Sequence, residues 1–304
     1  MQHTLIKSIT TFILLCVAPW VHAFTVFTCE PEWASLTRAL LPSAQVFSAT
    51  THRQDPHHIE ARPALIAQLR SADLAVCTGA TLEAGWLPTL QQRASNPRIR
   101  DGQPGMFYAA DQVELIDPYQ GTITPFSGDV HRAGNPHLHA DPHRVLRVAQ
   151  ALHERLARLL PEEAAAIQTR WRQFDSDWRA RLVTWEQHAA PLRGKPLAAQ
   201  HTTFAYLWRW LDLKQVADLE PKPGIDPSPA HLNQLLGQLA STRPLAVVVA
   251  QHQDARAGKW LSTQLKPPVP LLVIPATVTD DQPDALARWF DQLVGALTAL
   301  NSSR

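Results

Sequence analysis

Residues 161–190 read PEEAAAIQTRWRQFDSDWRARLVTWEQHAA, and this stretch divides a 304-residue chain into two halves. Pro161, Glu162 and Glu163 suit a first helical turn, where a missing N–H costs nothing and negative charge meets the positive end of the helix dipole. Behind them Ile167, Trp171, Phe174, Trp178, Leu182 and Trp185 recur at spacings of three and four, one continuous apolar stripe. A helix over 161–189 is about 43 Å long at ~1.5 Å per residue, enough to join two lobes. Its tryptophans are read as core packing rather than as ligands. A helical pattern from Asp141 to about Leu160 precedes it, so 141–192 reads as a helical linker.

On either side, short apolar runs alternate with helical patterns, the signature of parallel sheets with crossover helices. Before the linker the spacing predicts strands at Thr25 to Cys29, Gln45 to Ala49, Asp73 to Cys77 and Val113 to Ile116, with helices near 32–41, 62–72 and 81–94. After it, strands are predicted at Leu197 to Gln200, Val216 to Leu219, Leu245 to Ala250 and Leu271 to Ile274, with helices near 202–212, 229–240, 254–265 and 283–300. The fold class is therefore α/β: two pseudo-symmetric lobes, 24–140 and 193–304, with mainly parallel sheets joined by a long helix.

Composition narrows the function. With 45% hydrophobic and 18% charged residues the chain buries a full core, which excludes disordered, collagenous and small disulfide-scaffold classes. The formal net charge is only +1, and no basic stripe is interleaved with aromatics, so no nucleic-acid partner is expected. Histidine occurs 14 times, about twice average usage, and in clusters.

Residues 1–23 read as a secretory signal peptide: Lys7 precedes the apolar run Ile9 to Trp20, and Val21-His22-Ala23 is a small-residue cleavage pattern. The run is too short to span a bilayer. Cys16 follows Leu15 rather than a small residue, which argues against a lipid anchor. The mature chain is expected to be an exported, soluble monomer. It keeps two cysteines, Cys29 and Cys77, each ending a strand-like run; they form either a disulfide or two buried thiols.

Three histidine sites sit where such a fold exposes loops: Asp55-Pro56-His57-His58-Ile59-Glu60, Gly134-Asn135-Pro136-His137-Leu138-His139-Ala140-Asp141-Pro142-His143, and Gln200-His201-Thr202-Thr203-Phe204-Ala205-Tyr206. Loops at the carboxyl ends of parallel strands converge on one crevice, so residues far apart in sequence share a site. Imidazole is a borderline ligand, and three of them with a fourth oxygen or water make a tetrahedral zinc site. A single loop histidine is ordinarily solvated, so it is the joint pattern that points to metal.

These segments resemble the substrate-binding proteins of bacterial zinc and manganese ABC importers, the ZnuA-like cluster A-I metal-binding proteins, over nearly the whole mature chain. Pro56-His57, His137-Leu138-His139-Ala140-Asp141-Pro142 and His201-Thr202-Thr203-Phe204-Ala205-Tyr206-Leu207 match that family's ligand-bearing segments. Cys77-Thr78-Gly79-Ala80-Thr81-Leu82-Glu83 and the segment from Glu220 to Pro229 match as well. The resemblance implies a stiff two-lobed protein with limited closure, with His57, His137 and His201 as metal ligands. Manganese members place a carboxylate where this chain has His201, so Zn²⁺ is expected ahead of Mn²⁺. For the fourth position the candidates are Asp280, Asp281 or water. Gln251 stands where many zinc relatives carry a Glu. His58 and His139 are either orienting partners or solvated loop residues, and the loop 126–136, with Asp129 and His131, is either a capturing flap or ordinary surface.

The resemblance thus implies a periplasmic, non-catalytic protein that captures zinc between two lobes and delivers it to an ABC permease membrane subunit. The alternatives are a periplasmic zinc chaperone without a permease, a manganese-binding homologue, and a secreted zinc hydrolase using Glu60 or Asp280. No HExxH, GxSxG or Walker motif supports the last.

Overall fold

The computed structural model describes residues 23–124 and 126–302. Residues 1–22 of the expected signal peptide lie outside them. Strands β1 (Thr25–Thr28), β2 (Gln45–Ser48), β3 (Leu74–Cys77) and β4 (Met106–Tyr108) form a parallel sheet in the order β2-β1-β3-β4. Strands β5 (Pro196–Ala199), β6 (Lys214–Asp218), β7 (Val247–Ala250) and β8 (Leu271–Ile274) repeat that order as β6-β5-β7-β8, again all parallel. The central strands β3 (LAVC) and β7 (VVVA) are buried throughout, as a parallel sheet covered on both faces requires.

The helices are α1 (Pro31–Leu40), α2 (Pro63–Ser71), α3 (Leu87–Ala94), α4 (Pro142–Leu159), α5 (Ala164–Ala189), α6 (Ala205–Trp210), α7 (Pro229–Leu239), α8 (Arg256–Gln264) and α9 (Ala285–Ser302). Four of them, α1, α2, α4 and α7, begin on proline, whose fixed φ and missing N–H fit the first helical position. Leu65 and Leu69 of α2 and Leu87 and Leu90 of α3 cover the outer face of the first sheet; Leu232 and Leu235 of α7 and Leu261 of α8 do the same for the second. The inner faces meet in one continuous core that holds Val26 and Val76 from one sheet, Val248 and Ile274 from the other, and Trp178, Leu182 and Trp185 of α5 between them.

The long helix forms largely as the apolar stripe predicts, with Pro161–Glu163 as a turn of 3-10 helix before 26 residues of α-helix. Its aromatics form a chain of ring contacts, stacked from His153 of α4 on Trp171 at 4.7 Å through Phe174 to Trp178, then edge-on to Trp185, which is tilted against Phe290 of α9 at 5.1 Å. One predicted strand is displaced. The fourth strand of the first sheet is Met106–Tyr108, not Val113 to Ile116. The backbone at 114–116 is satisfied elsewhere: Tyr206 accepts from the Ile116 N–H, the Asn135 N–H donates to the Ile116 carbonyl, and Arg144 donates to the Glu114 carbonyl. The predicted helix at 81–94 likewise begins only at Leu87, after a run of turns.

Cys29 and Cys77, at the adjoining ends of β1 and β3, form a disulfide with Cα atoms 4.7 Å apart. No helix among the described residues is long and apolar enough to cross a membrane.

Candidate metal centre

The carboxyl ends of both sheets open onto one cavity of about 290 Å³, and its lining includes His57, His137, His201, His252, Gln200 and Glu220. Each of the first three histidines is set by a different element. His57 lies in the loop after β2, and Asp55 Oδ1 accepts both its backbone N–H at 3.0 Å and its ring Nδ1 at 2.7 Å. Burial alone lifts an acid, but these bonds and the imidazole beside it hold the Asp55 carboxyl well below the usual range. The Nδ1 proton being committed to Asp55, the Nε2 lone pair of His57 is left facing the cavity.

His137 enters just before α4. Asn135 Oδ1 accepts its N–H at 2.9 Å, and the same asparagine donates from Nδ2 to the Thr202 carbonyl at 3.0 Å and accepts from Tyr206 on its own carbonyl at 2.7 Å. One side chain thus ties the second histidine segment to the third. Nε2 of His137 is buried with no hydrogen-bond partner. Burial, then the imidazoles of His201 and His57, press its pKa well below the ordinary histidine value, so the ring keeps its lone pair.

His201 follows β5 with φ +63°, a left-handed conformation that a side chain with Cβ adopts at a cost on the order of 1 kcal/mol or more. The strain is held by Asp218 Oδ1, which accepts the His201 N–H at 3.1 Å, and by Glu220 Oε2, 2.9 Å from Nδ1. Burial pulls the imidazole's pKa down, yet the Glu220 carboxylate outweighs it and raises the value. Burial lifts Asp218 to about 6.

The three rings form a near-equilateral triangle, with centroids 5.5, 5.7 and 5.5 Å apart and planes crossing at 68–82°. Their ligating nitrogens lie within 4.8 Å of one another, and all three residues are buried. Two of the rings present Nε2 while a carboxylate holds Nδ1, the arrangement that fixes tautomer and orientation in zinc–histidine sites. A second close group, Cys29, Cys77 and Glu83, offers no thiolate because its sulfurs are bonded to each other.

Of the other sequence candidates, His58 and His139 line the same cavity, whereas Asp280, Asp281 and Glu60 do not. Asp280 is paired with Arg288 at 2.7 Å and accepts the Gln282 N–H, while Asp281 is paired with Arg38 at 2.8 Å; neither lines the cavity. Their positions after β8 put them within reach of basic side chains, which claim the carboxylates. Glu60 is exposed and also outside the lining. His58 is largely exposed. His139 is buried, stacked on Trp289 at 5.5 Å, with Nε2 2.9 Å from the Ala276 carbonyl and Nδ1 3.3 Å from Glu32.

Sequence reasoning assigned no role to Asp55, Glu220 or His252. The signal for Asp55 is its place two residues before His57, where an Asx turn closes on the ligand. His252, lining the cavity just after β7 with Nδ1 buried and unpartnered, had none beyond its place at a strand end.

Residues 26–302 match the family model described as ZnuA, zinc-uptake complex component A periplasmic. The high-affinity zinc uptake system protein ZnuA of Yersinia pestis is 24% identical over 203 residues, 63% of this chain and 64% of that protein. The zinc-binding lipoprotein AdcA of Streptococcus pneumoniae is 19% identical over 213 residues, 69% of this chain and 41% of the lipoprotein. The matched stretch therefore spans less than two thirds of either relative. Among solved structures, a crystal structure of ZnuA has a TM-score of 0.73 at 19% identity and covers 90% of this chain and 99% of its own. The SBP FpvC of Pseudomonas aeruginosa in complex with Mn²⁺ has a TM-score of 0.72 at 16% identity, covering 93% and 100%. At these identities the structures share the fold.

Proposed function

The chain belongs to the family of periplasmic zinc-uptake complex components, and on that premise we propose that it binds Zn²⁺ in the cleft between its two sheets and delivers the ion to an ABC permease for import. The observation that carries the reading is the convergence of His57, His137 and His201, with Asp55 and Glu220 committing the Nδ1 atoms of the first and last. Three imidazoles, with no carboxylate oxygen among the closest group, favour a borderline ion over Mn²⁺, which prefers oxygen. Zinc is the cargo here, and no reaction is catalysed. The protein acts in the periplasm, exported by the N-terminal signal peptide that residues 1–23 suggest.

The test is a chelator-competition titration of the metal-stripped mature protein with Zn²⁺ and with Mn²⁺, repeated on His201→Ala. One tightly bound zinc per chain, weaker manganese, and a loss of at least about 100-fold in the variant support the reading. Binding of both metals no tighter than about micromolar, unchanged in the variant, overturns it. Deletion of the gene for this chain and, separately, of zinc ABC permease genes, followed by growth under zinc limitation, separates import from a chaperone role.

A further inference from the structure

Asp280 and Asp281 are engaged by arginines, which leaves the fourth coordination position of the proposed zinc site to another group. The segment 126–134, of which Asp129 lines the cavity, is pinned to both halves. The Asp129 N–H donates to the Pro223 carbonyl at 2.9 Å and Lys222 to the Phe126 carbonyl at 3.3 Å, while His131 reaches Thr81. Gly128, at φ +75°, lies against Pro223 so closely that a Cβ would collide with its carbonyl oxygen.

The tautomer of His131 follows from its partners. Thr81 Oγ1 donates its hydroxyl to the Ala80 carbonyl at 2.6 Å, so toward His131 Nδ1, at 2.8 Å, it is an acceptor. His131 therefore carries its proton on Nδ1, and Nε2 is a bare lone pair. That Nε2 is 3.3 Å from Nε2 of His57, which is also bare because Asp55 takes the other proton. Two lone pairs facing each other repel unless a proton or a metal ion lies between them. The distance also matches a ligand edge, since Zn–N bonds of about 2.0–2.1 Å in a tetrahedron place nitrogens about 3.3 Å apart. The two ring centroids are 5.4 Å apart, close to the spacing within the triad. Thr81 is itself aimed by strained backbone: Gly79, Ala80 and Thr81 are successive left-handed residues at φ +80°, +50° and +68°.

We propose that His131 supplies the fourth nitrogen of the site, closing an all-imidazole shell around zinc. The inference rests on the reading of this cleft as a zinc site. His131 lies beside the cavity rather than among its lining residues, and outside the group of three whose nitrogens fall within 4.8 Å of one another, so zinc draws its ring inward from the side of His57. Four imidazoles exclude the oxygen ligands that Mn²⁺ favours, which makes His131 a selectivity residue as well as a ligand.

Zinc K-edge X-ray absorption on the wild-type protein and on His131→Ala, with Zn²⁺ and Mn²⁺ competition titrations of both and of His137→Ala, tests this. The expected result is outer-shell ring scattering from four imidazoles in the wild type and from three in His131→Ala, with a single oxygen or nitrogen scatterer in the fourth place. Zinc affinity then falls about 10- to 100-fold in that variant, with a smaller zinc-over-manganese margin. Three imidazoles in both proteins, with zinc affinity of His131→Ala within about twofold of wild type and a large loss only in His137→Ala, overturns the proposal and leaves the zinc reading intact. A wild-type protein that binds no zinc overturns both.

Discussion

Glu220 Oε2 stands 2.9 Å from Nδ1 of His201 and 2.7 Å from the N–H of Gly224, so one buried carboxylate oxygen fixes both an imidazole and the loop that follows β6. The geometry makes Glu220 a positioning residue rather than a ligand. Its role is to keep the His201 proton on Nδ1 and so keep Nε2 available.

Glu220→Gln retains an acceptor and the shape but removes the charge. Zinc affinity is expected to fall about 10- to 100-fold, with His201 no longer held in one tautomer. Competition titration reads the affinity, and an unchanged circular-dichroism spectrum separates the effect from unfolding. An affinity equal to wild type would show that the carboxylate does not tune the ligand.

The disulfide between Cys29 and Cys77 closes a sequence separation of 48 residues that includes β2 and the His57 loop. Cross-linking of that length restrains the unfolded chain, and replacing both cysteines by serine is expected to cost about 2–4 kcal/mol. Urea denaturation of the oxidised protein and the double variant measures the difference. Equal midpoints would mean that the bridge adds nothing to the fold.

Periodicity made α5 legible because Ile167, Trp178, Leu182 and Trp185 truly face the core. Apolar runs made β3 and β7 legible because both are covered on both faces. The three converging histidines were legible because loop entries of parallel strands meet at one end of the sheets. Val113 to Ile116 misled for a tertiary reason: its polar backbone is paired by Tyr206, Asn135 and Arg144, none of them local. Short MFY at 106–108 carries no turn signal of its own, and only pairing with β3 makes it a strand. Asp280 looked available because sequence does not show that Arg288, one helical approach away, claims it. The orienting carboxylates Asp55 and Glu220 were in view as residues, but their pairing with ring nitrogens exists only in three dimensions.

Glu83 predicts how stability responds to pH. Burial raises its carboxyl from the ordinary 4.5 to about 7, even though the N–H groups of Thr78 and Gly79 donate to it. A folded value above the unfolded one means that its contribution is fully present below about pH 4.5 and is lost as pH rises through about 7. Stability of the metal-free protein is therefore expected to decline between pH 5 and pH 8 from this group. Glu83→Gln, which keeps an acceptor for the two N–H groups, should flatten that decline. Thermal melts of both proteins across the range decide it, and parallel pH profiles would remove Glu83 as the cause.

Asn135 joins two ligand-bearing segments, since its Oδ1 holds the His137 N–H and its Nδ2 holds the Thr202 carbonyl next to His201. The bond to the His137 N–H is buried and the one to the Thr202 carbonyl half-buried, so removing the amide strands the His137 donor away from water and leaves the Thr202 acceptor only partly hydrated. Asn135→Ala is expected to cost about 1–3 kcal/mol for each group left unsatisfied. It should also weaken zinc binding, because His137 and His201 lose the link that sets their separation. Asn135→Asp keeps the acceptor for His137 but loses the donor to Thr202. It should therefore fall between wild type and alanine in both denaturation midpoint and zinc affinity. If the aspartate variant instead matches alanine in affinity while matching wild type in stability, the link to Thr202, rather than the hold on His137, is what places the second and third ligands.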